Sequence, residues 1–173
     1  MKNVMVGIVL GSISDEPMAA KATGVLDTLG ISYEVTVASA HRTPDDVEAY
    51  ARNAEKRGLS VIVAVAGMSA ALPGVMAAHT TLPVVGLPVS AGALRGIDAL
   101  YSMTQMPPGI PVASVGVDGG SNAALLAARM VALTDPDVRS RLDTFQKKQA
   151  EKVRQSRSDL KSPSAPQEAF AQE

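Results

Sequence analysis

The sequence predicts a three-layer α/β/α sandwich built around a five-stranded parallel sheet. Short β-branched runs alternate with helical patterns along the chain, and most of the runs are continuously apolar, as expected for strands that are covered on both faces. Alternation of this kind forms a parallel sheet with right-handed crossovers. The chain has 173 residues, which is enough for one domain with a complete core but not comfortably for two.

The individual elements follow from these patterns, although the order of the strands in the sheet does not. Strands are expected at residues 4–10, 33–38, 60–66, 83–87 and 110–117. Helices are expected at residues 17–29, 44–57, 70–80, 121–133 and from 137 to about 154. Segment 90–109 interrupts the alternation and is too long for a simple connection, which favours a functional or partner-contacting role. Residues 1–155 are therefore expected to form one α/β domain, followed by a flexible tail at 156–173 that is rich in Ser, Pro, Gln and acidic residues.

The composition excludes several classes of protein. The formal net charge is −1, which provides no basic surface for nucleic acid or for an anionic membrane. The absence of cysteine excludes disulfides, thiolate nucleophiles and zinc–thiolate sites. No signal-peptide pattern follows Met1, and no apolar run reaches the roughly 20 residues that a membrane-spanning helix needs. We therefore expect a cytoplasmic protein that binds neither nucleic acid nor a membrane.

The stretch from Ser39 to Pro44, Ser-Ala-His-Arg-Thr-Pro, is the strongest functional signal in the chain. It follows an apolar strand and leads into a helix, with Thr43 as the expected cap. Open α/β sheets bind ligands at the carboxyl ends of their strands, where such loops lie. His41 and Arg42 provide a proton carrier and a phosphate-binding guanidinium in that position. The loop therefore predicts chemistry on an anionic substrate.

A second candidate site is the first βα loop, which reads Gly-Ser-Ile-Ser-Asp at residues 11–15. Gly11 allows close approach of a ligand to the backbone, Ser12 and Ser14 offer hydroxyl donors, and Asp15 can accept hydrogen bonds from a sugar. The same residues also fit a capping box, and we weigh the two interpretations about equally. The loop has neither the Gly-x-Gly-x-x-Gly pattern of dinucleotide sites nor the Gly-Lys-Ser/Thr ending of NTPase loops.

The third loop, residues 66–74, consists mainly of small residues and follows the central strand. It could form a floor beneath a ring or a carboxylate, and tight helix packing explains it equally well. His79, near the end of the following helix, is expected to meet the terminal carbonyl groups there rather than to take part in catalysis. Met68, Met103 and Met106 are interpreted as core or interface filling rather than as a cofactor site. Arg95 and Asp98 in segment 90–109 could serve a function and could equally form a surface pair.

Taken together, these loops resemble the class I N5-carboxyaminoimidazole ribonucleotide mutases of purine biosynthesis. The resemblance extends from about residue 4 to residue 133, in the order of the family. The matching pieces are the three loops above, Leu-Pro-Val-Val-Gly-Leu-Pro-Val at 82–89, Gln-Met-Pro at 105–107, Gly-Ile-Pro-Val at 109–112 and Asn-Ala-Ala-Leu-Leu-Ala at 122–127. Each piece alone is weak, but together they are highly specific.

The resemblance implies a flavodoxin-like sandwich and a homo-octamer that has its sites at subunit junctions. It also implies conversion of N5-carboxyaminoimidazole ribonucleotide to 4-carboxy-5-aminoimidazole ribonucleotide without a cofactor or metal. His41 would be the general acid/base, which suits an imidazole because it exchanges protons near neutral pH. The substrate would bind, by the same resemblance, to Gly11, Ser12, Ser14, Asp15, Ser39, Arg42, Gly67, Met68, Ser69, Ala70 and Leu72.

Two departures from the family pattern lie in the third loop. Class I members commonly have histidine in place of Ala71 and glycine in place of Met68. Animal-type class II carboxylases, which use carbon dioxide directly, typically carry lysine after the key histidine, so Arg42 favours class I. A carboxylase of that second type and a non-catalytic nucleotide-binding sandwich remain the alternatives.

Overall fold

The computed structural model describes residues 5–162, 165–166 and 169 and confirms the predicted sandwich. Its sheet has five parallel strands in the order β2-β1-β3-β4-β5. These are β1 (Val6–Leu10), β2 (Tyr33–Val37), β3 (Val61–Gly67), β4 (Val84–Val89) and β5 (Ala113–Ser114). This is the flavodoxin-like strand order, in which the chain switches direction across the sheet between β1 and β3.

Helices cover both faces of this sheet. They are α1 (Glu16–Thr28), α2 (Pro44–Ala54), α3 (Leu72–His79), α4 (Ile97–Thr104), α5 (Gly120–Val131) and α6 (Pro136–Gln155). One apolar core lies between the sheet and α1, α5 and α6, and it includes Leu26 and Leu142. The other lies between the sheet and α2, α3 and α4, and it includes Val47 and Met76. None of the helices among the described residues has the length and apolar character needed to cross a bilayer.

The burial of the central strands explains their continuous apolar runs in the sequence. Every residue of β1 and β4 is buried, and β3 is buried up to its last residue, Gly67. The continuous apolar runs are therefore strands with both faces covered. β1 pairs with β3 so that Leu10 is opposite Val65. This register brings the loops that follow the two strands to the same edge of the sheet.

The edge strands differ from the prediction. Val35 and Val37 of β2 are about half exposed, since β2 lies at the margin of the sheet and is not covered on both faces. The expected fifth strand at 110–117 is reduced to Ala113–Ser114. Pro111, near the start of the expected strand, has no backbone N–H to donate to a ladder, which is consistent with a short strand.

Segment 90–109 contains helix α4, which the sequence patterns did not reveal. Gly96 caps it with φ 88°, and a turn with Gly92 at φ 63° precedes it. Met103, which belongs to α4, is fully buried in the core, as expected. Arg95 and Asp98 form no ion pair in the described part of the chain, so the expected surface pair is wrong.

Two expectations about helix ends were also wrong. Thr43 lies at the N-cap position of α2, but its hydroxyl accepts no hydrogen bond from the helix because it bonds to the backbone of Ser39. α5 begins at Gly120, one residue before the expected start, and has Gly119 at its cap position. His79 lies at the end of α3, and its Nδ1 is 3.9 Å from Oε1 of Glu48 on α2.

The described chain continues beyond the predicted domain boundary. α6 ends at Gln155, and a short 3₁₀ helix, Ser156–Asp159, follows it. The expected flexible tail at 156–173 therefore begins with a helical turn. Its residues 163–164, 167–168 and 170–173, like the expected start of the first strand at residue 4, lie outside the described residues.

Candidate active site

A cavity of about 550 Å³ opens at the carboxyl edge of the sheet, where the loops after β1, β2 and β3 meet. Its volume lies within the range of about 300–1,000 Å³ that is usual for small-molecule sites. The twelve site residues predicted from the sequence all line this cavity. They are Gly11, Ser12, Ser14, Asp15, Ser39, His41, Arg42, Gly67, Met68, Ser69, Ala70 and Leu72.

The first loop is both a capping box and one wall of the cavity, so the two interpretations of this sequence are compatible. The Ser12 backbone N–H donates to Oδ2 of Asp15 over 3.0 Å, and Oγ of Ser12 accepts from the backbone N–H of Ser14 over 3.4 Å. The Ser14 hydroxyl also donates to Oγ of Ser12 over 3.0 Å. These bonds hold two hydroxyl groups and one carboxylate in a fixed arrangement at the entrance to α1.

Asp15 is the charged residue that this loop buries. Its side chain lines the cavity, yet the residue is only 6% exposed. Burial raises the pKa of the Asp15 carboxyl above its usual range, and the hydrogen bond from the Ser12 backbone partly opposes that rise. A carboxylate held in this way gains from a ligand that brings hydrogen-bond donors, such as the hydroxyls of a sugar.

The second loop is a tight turn that presents His41 and Arg42. The carbonyl of Ser39 accepts from the backbone N–H groups of Arg42, over 3.3 Å, and of Thr43, over 2.8 Å. The hydroxyl of Thr43 closes the turn, since it accepts from the Ser39 backbone N–H over 3.0 Å. Thr43 was expected to cap α2, and it instead fixes the loop that carries the imidazole. His41 is exposed near the tip of this turn and lines the cavity.

Arg42 connects the first two loops. Its Nη2 donates to the carbonyl of Gly11 over 3.3 Å, and its Nε donates to Oγ of Ser39 over 3.4 Å. A guanidinium has five N–H donors, so these two contacts leave three for a ligand. A cation fixed in this position can bind a phosphate with two parallel hydrogen bonds.

The third loop forms the small-residue side of the cavity. A Cβ atom added to Gly67 would lie 3.0 Å from Cβ of Ala91 and 3.2 Å from the carbonyl oxygen of Val89, so the backbone there packs directly against the end of β4. Ala70 and Leu72 are buried, whereas Ser69 is exposed. Met68 has φ 55° and is 59% exposed, so it does not fill the core of this chain, and its role in an interface stays a prediction.

Four alanines that were not named as site residues also line the cavity, and three of them lie within the predicted loops. They are Ala40, Ala66, Ala71 and Ala91. Ala71 was noted only as a departure from the family pattern. Ala91 lies just beyond β4, the strand next to β3, so the strand order would have identified it. Alanine carries no chemical signal of its own, which explains the omission.

The cavity contains few charged groups. Apart from His41, the described residues that line it include one cation, Arg42, and one carboxylate, Asp15. No cluster of three or more His, Cys, Asp or Glu side chains that could hold a metal ion occurs in the described parts of the chain. The arrangement suits a ligand with an anionic end, hydroxyl groups and an uncharged planar part.

Comparison with known proteins shows the family of this chain. The family described as AIR carboxylase matches residues 5–152, which is most of the chain. The chain belongs to the AIR carboxylase family. A Pyrococcus abyssi protein named N5-carboxyaminoimidazole ribonucleotide mutase is 51% identical over 140 residues, covering 81% of this chain and 80% of the relative. A mutase of the same name from Mycobacterium tuberculosis is 50% identical over 148 residues, covering 86% of this chain and 85% of the relative.

Two further similar proteins extend the comparison. A Saccharomyces cerevisiae protein named phosphoribosylaminoimidazole carboxylase is 47% identical over 153 residues, which is 88% of this chain but only 27% of that protein. The crystal structure of Treponema denticola PurE superposes with a TM-score of 0.82 at 32% sequence identity, covering 91% of this chain and 99% of that one. The family and the flavodoxin-like fold that the sequence indicated are thus both confirmed.

Proposed function

We propose that this protein is a mutase that converts N5-carboxyaminoimidazole ribonucleotide to 4-carboxy-5-aminoimidazole ribonucleotide in purine biosynthesis. The observation that carries the proposal is the convergence of three loops, with His41, Arg42 and Asp15, on one cavity in a chain of the AIR carboxylase family. The mutase relatives, at 45–51% identity over most of the chain, support this reaction.

Substrate binding divides between the two polar loops and the third loop. Arg42 binds the phosphate of the ribonucleotide with its remaining N–H groups, together with the hydroxyls of Ser12 and Ser14. Asp15 accepts hydrogen bonds from the ribose. The imidazole ring lies against the third loop, from Gly67 to Leu72, whose small residues leave room for a planar group.

His41 is proposed to move the protons of the reaction. The N–C bond of the carbamate breaks and carbon dioxide leaves, while the electron pair stays on the exocyclic nitrogen, which takes up one proton. The ring carbon then uses a π electron pair to form a C–C bond to the carbon dioxide and afterwards loses one proton. The reaction is redox-neutral, and one imidazole can supply the first proton and remove the second.

The substrate requirement tests this function. Freshly prepared N5-carboxyaminoimidazole ribonucleotide in bicarbonate-free buffer should give product, whereas aminoimidazole ribonucleotide should react only at high bicarbonate. Turnover of aminoimidazole ribonucleotide with dissolved carbon dioxide, together with no turnover of the carbamate, would instead indicate a direct carboxylase. Failure of both substrates would indicate a non-catalytic sandwich.

The assembly is proposed to be a homo-octamer, a number that comes from the family resemblance. Leu94, Ile97 and Tyr101 support self-association, since each is about half exposed or more and they follow one another on the turn before α4 and on α4. Contiguous exposed apolar residues of this kind commonly mark protein interfaces. Light scattering should give the mass of eight chains, and a stable monomer at micromolar concentration would contradict the proposal.

Two further expectations are part of the proposal. Residues 1–155 should suffice for catalysis, so truncation after Gln155 should preserve turnover.

The substrate carries a charged phosphate, which is costly to bring into a lipid bilayer, so we expect the enzyme to act in the cytoplasm, where such nucleotides are made.

A further inference from the structure

We propose that Met68 forms an apolar cover on the cavity that keeps carbon dioxide inside between its release and its recapture. This inference rests on the proposed function. Its basis is the geometry of the third loop, where one long apolar side chain stands among glycine, serine and alanine.

The first observation is the backbone of Met68. Its φ of 55° lies in the left-handed region, which residues other than Gly, Asn and Asp adopt at a cost in stability. Glycine would take this conformation without that cost. Strained backbone of this kind is found where the surrounding structure and the function of the residue require it.

The second observation is the position of the Met68 side chain. It is 59% exposed although it is apolar, and it lines the cavity. Leu72, the other large apolar residue of the lining, is only 2% exposed. Met68 is therefore the one large apolar side chain of the described lining that remains open to solvent at the cavity.

The third observation is what Met68 lies against. A Cβ atom added to Gly92 would be 3.7 Å from Cγ of Met68 and 4.0 Å from its Cε, so the side chain extends across to the turn after β4. That turn is fixed, since the Ser90 backbone N–H donates to Oδ1 of Asp118 over 2.9 Å. Beside it, Gly67 leaves no space between the third loop and Ala91. The side chain of Met68 is flexible and apolar, and it lies next to the closed contact between Gly67 and Ala91, which it extends along the cavity.

Such a cover suits the proposed chemistry. Carbon dioxide is small and uncharged, has no hydrogen-bond donor and is only a weak acceptor, so its retention depends mainly on steric closure. Retention makes the second step effectively intramolecular, and loss requires recapture from solution. A thioether side chain is flexible enough to admit the substrate and then close over it.

Label exchange measures this retention directly. The substrate is labelled with ¹³C in its carboxylate and turned over in buffer that contains unlabelled bicarbonate and carbonic anhydrase, which equilibrates dissolved carbon dioxide. Mass spectrometry then gives the unlabelled fraction of the product, and chromatography gives the aminoimidazole ribonucleotide that escapes. In Met68→Gly we expect the sum of the unlabelled product fraction and the escaped intermediate to rise about fivefold over the parent, because the cover is removed.

Two controls separate covering from folding. Met68→Leu keeps an apolar side chain of similar size and should restore label retention to near the parental level. The unlabelled and escaped amounts are divided by the carbamate consumed in each variant, so that any change in substrate binding at this cavity-lining residue does not enter the comparison. Met68→Gly should also unfold at the same temperature as the parent or higher, since glycine accepts the left-handed backbone.

Several results would overturn the inference while leaving the proposed function intact. These are label retention in Met68→Gly equal to that of the parent, equal loss of label in the Gly and Leu variants, complete exchange already in the parent, or a changed oligomer size in Met68→Gly. If the parent fails to convert the carbamate at all, the proposed function fails, and the inference fails with it.

Discussion

The two sides of the cavity are built on different principles. On the polar side, the loops after β1 and β2 are joined by side-chain hydrogen bonds, including those from Arg42 to the carbonyl of Gly11 and to Oγ of Ser39. On the other side, the loop after β3 is held by close packing, with Gly67 pressed against Ala91. Hydrogen bonds fix charged and donor groups in direction, whereas small residues provide shape and space. Under the proposed function, we therefore expect the phosphate and ribose to bind on the polar side, and the ring and the released carbon dioxide on the other.

The largest effect is expected from removal of the imidazole on the polar side. His41→Asn should lower kcat by about 100-fold to 10,000-fold, the range typical for the loss of a general acid/base, because asparagine cannot exchange a proton near neutral pH. Thermal unfolding should be unchanged, since His41 is exposed. The control is His79→Asn, which alters the other histidine, outside the cavity. Activity of His41→Asn within a few-fold of the parent would remove His41 from the mechanism.

A smaller effect, mainly on KM, is expected when the cation that links the polar loops is removed. Arg42→Ala should raise KM about tenfold or more, because each hydrogen bond to a charged group contributes about 1.5–3 kcal/mol. Arg42→Lys should fall between this variant and the parent, since it keeps the charge but loses the planar donor pair. Arg52→Ala, which removes an exposed ion pair with Glu48 on α2, is the matched control. An unchanged KM together with a lower kcat would indicate that Arg42 serves the chemical step instead.

The smallest effect concerns the buried carboxylate. Because burial raises the pKa of Asp15 in the folded state, the folded protein holds this proton more tightly than the unfolded chain does. The associated stability is present below the unfolded pKa and is lost as the pH rises through the folded pKa. Asp15→Asn should therefore be at least as stable as the parent at neutral pH, with a gain of no more than about 1 kcal/mol.

Chemical denaturation at several pH values measures this effect, with Asp45→Asn, an exposed carboxylate in the first turn of α2, as the control. The advantage of Asp15→Asn should shrink as the pH falls into the acid range, where the parent carboxyl becomes protonated. KM should rise in the same variant, because the ribose loses a charged acceptor. An advantage that is constant with pH would show that titration of Asp15 does not contribute to stability.

The two sides of the cavity also differ in how much of them the sequence revealed. His41, Arg42 and Asp15 carry chemistry in their side chains, and the order of strands and helices places their loops at one edge of the sheet. The third loop consists mainly of small residues, for which ligand binding and helix packing were equally good explanations. The Met68 side chain lies beside Gly92 in the turn after β4, which is far from Met68 in the sequence, so its exposure could not be predicted locally.

The same distinction applies to the fold. The buried central strands gave continuous apolar runs and were predicted well, because their environment is uniform. Helix α4 was missed, since it is short and is bounded by Gly96 and by the prolines at 107 and 108, which indicate a loop when taken alone. Burial of Met103 in the core stabilises this segment as a helix. Tertiary contacts of this kind cannot be derived from local propensity.

The most direct test of the division between the two sides is a crystal structure of His41→Asn with N5-carboxyaminoimidazole ribonucleotide bound, since this variant should hold the substrate without converting it. We expect the phosphate within hydrogen-bond distance of Arg42 and Ser12, a ribose hydroxyl on Asp15, and the imidazole ring against the loop from Gly67 to Leu72 with its carboxylate beneath Met68. A phosphate bound at the third loop, or a ring stacked on the loop from Gly11 to Asp15, would contradict the account.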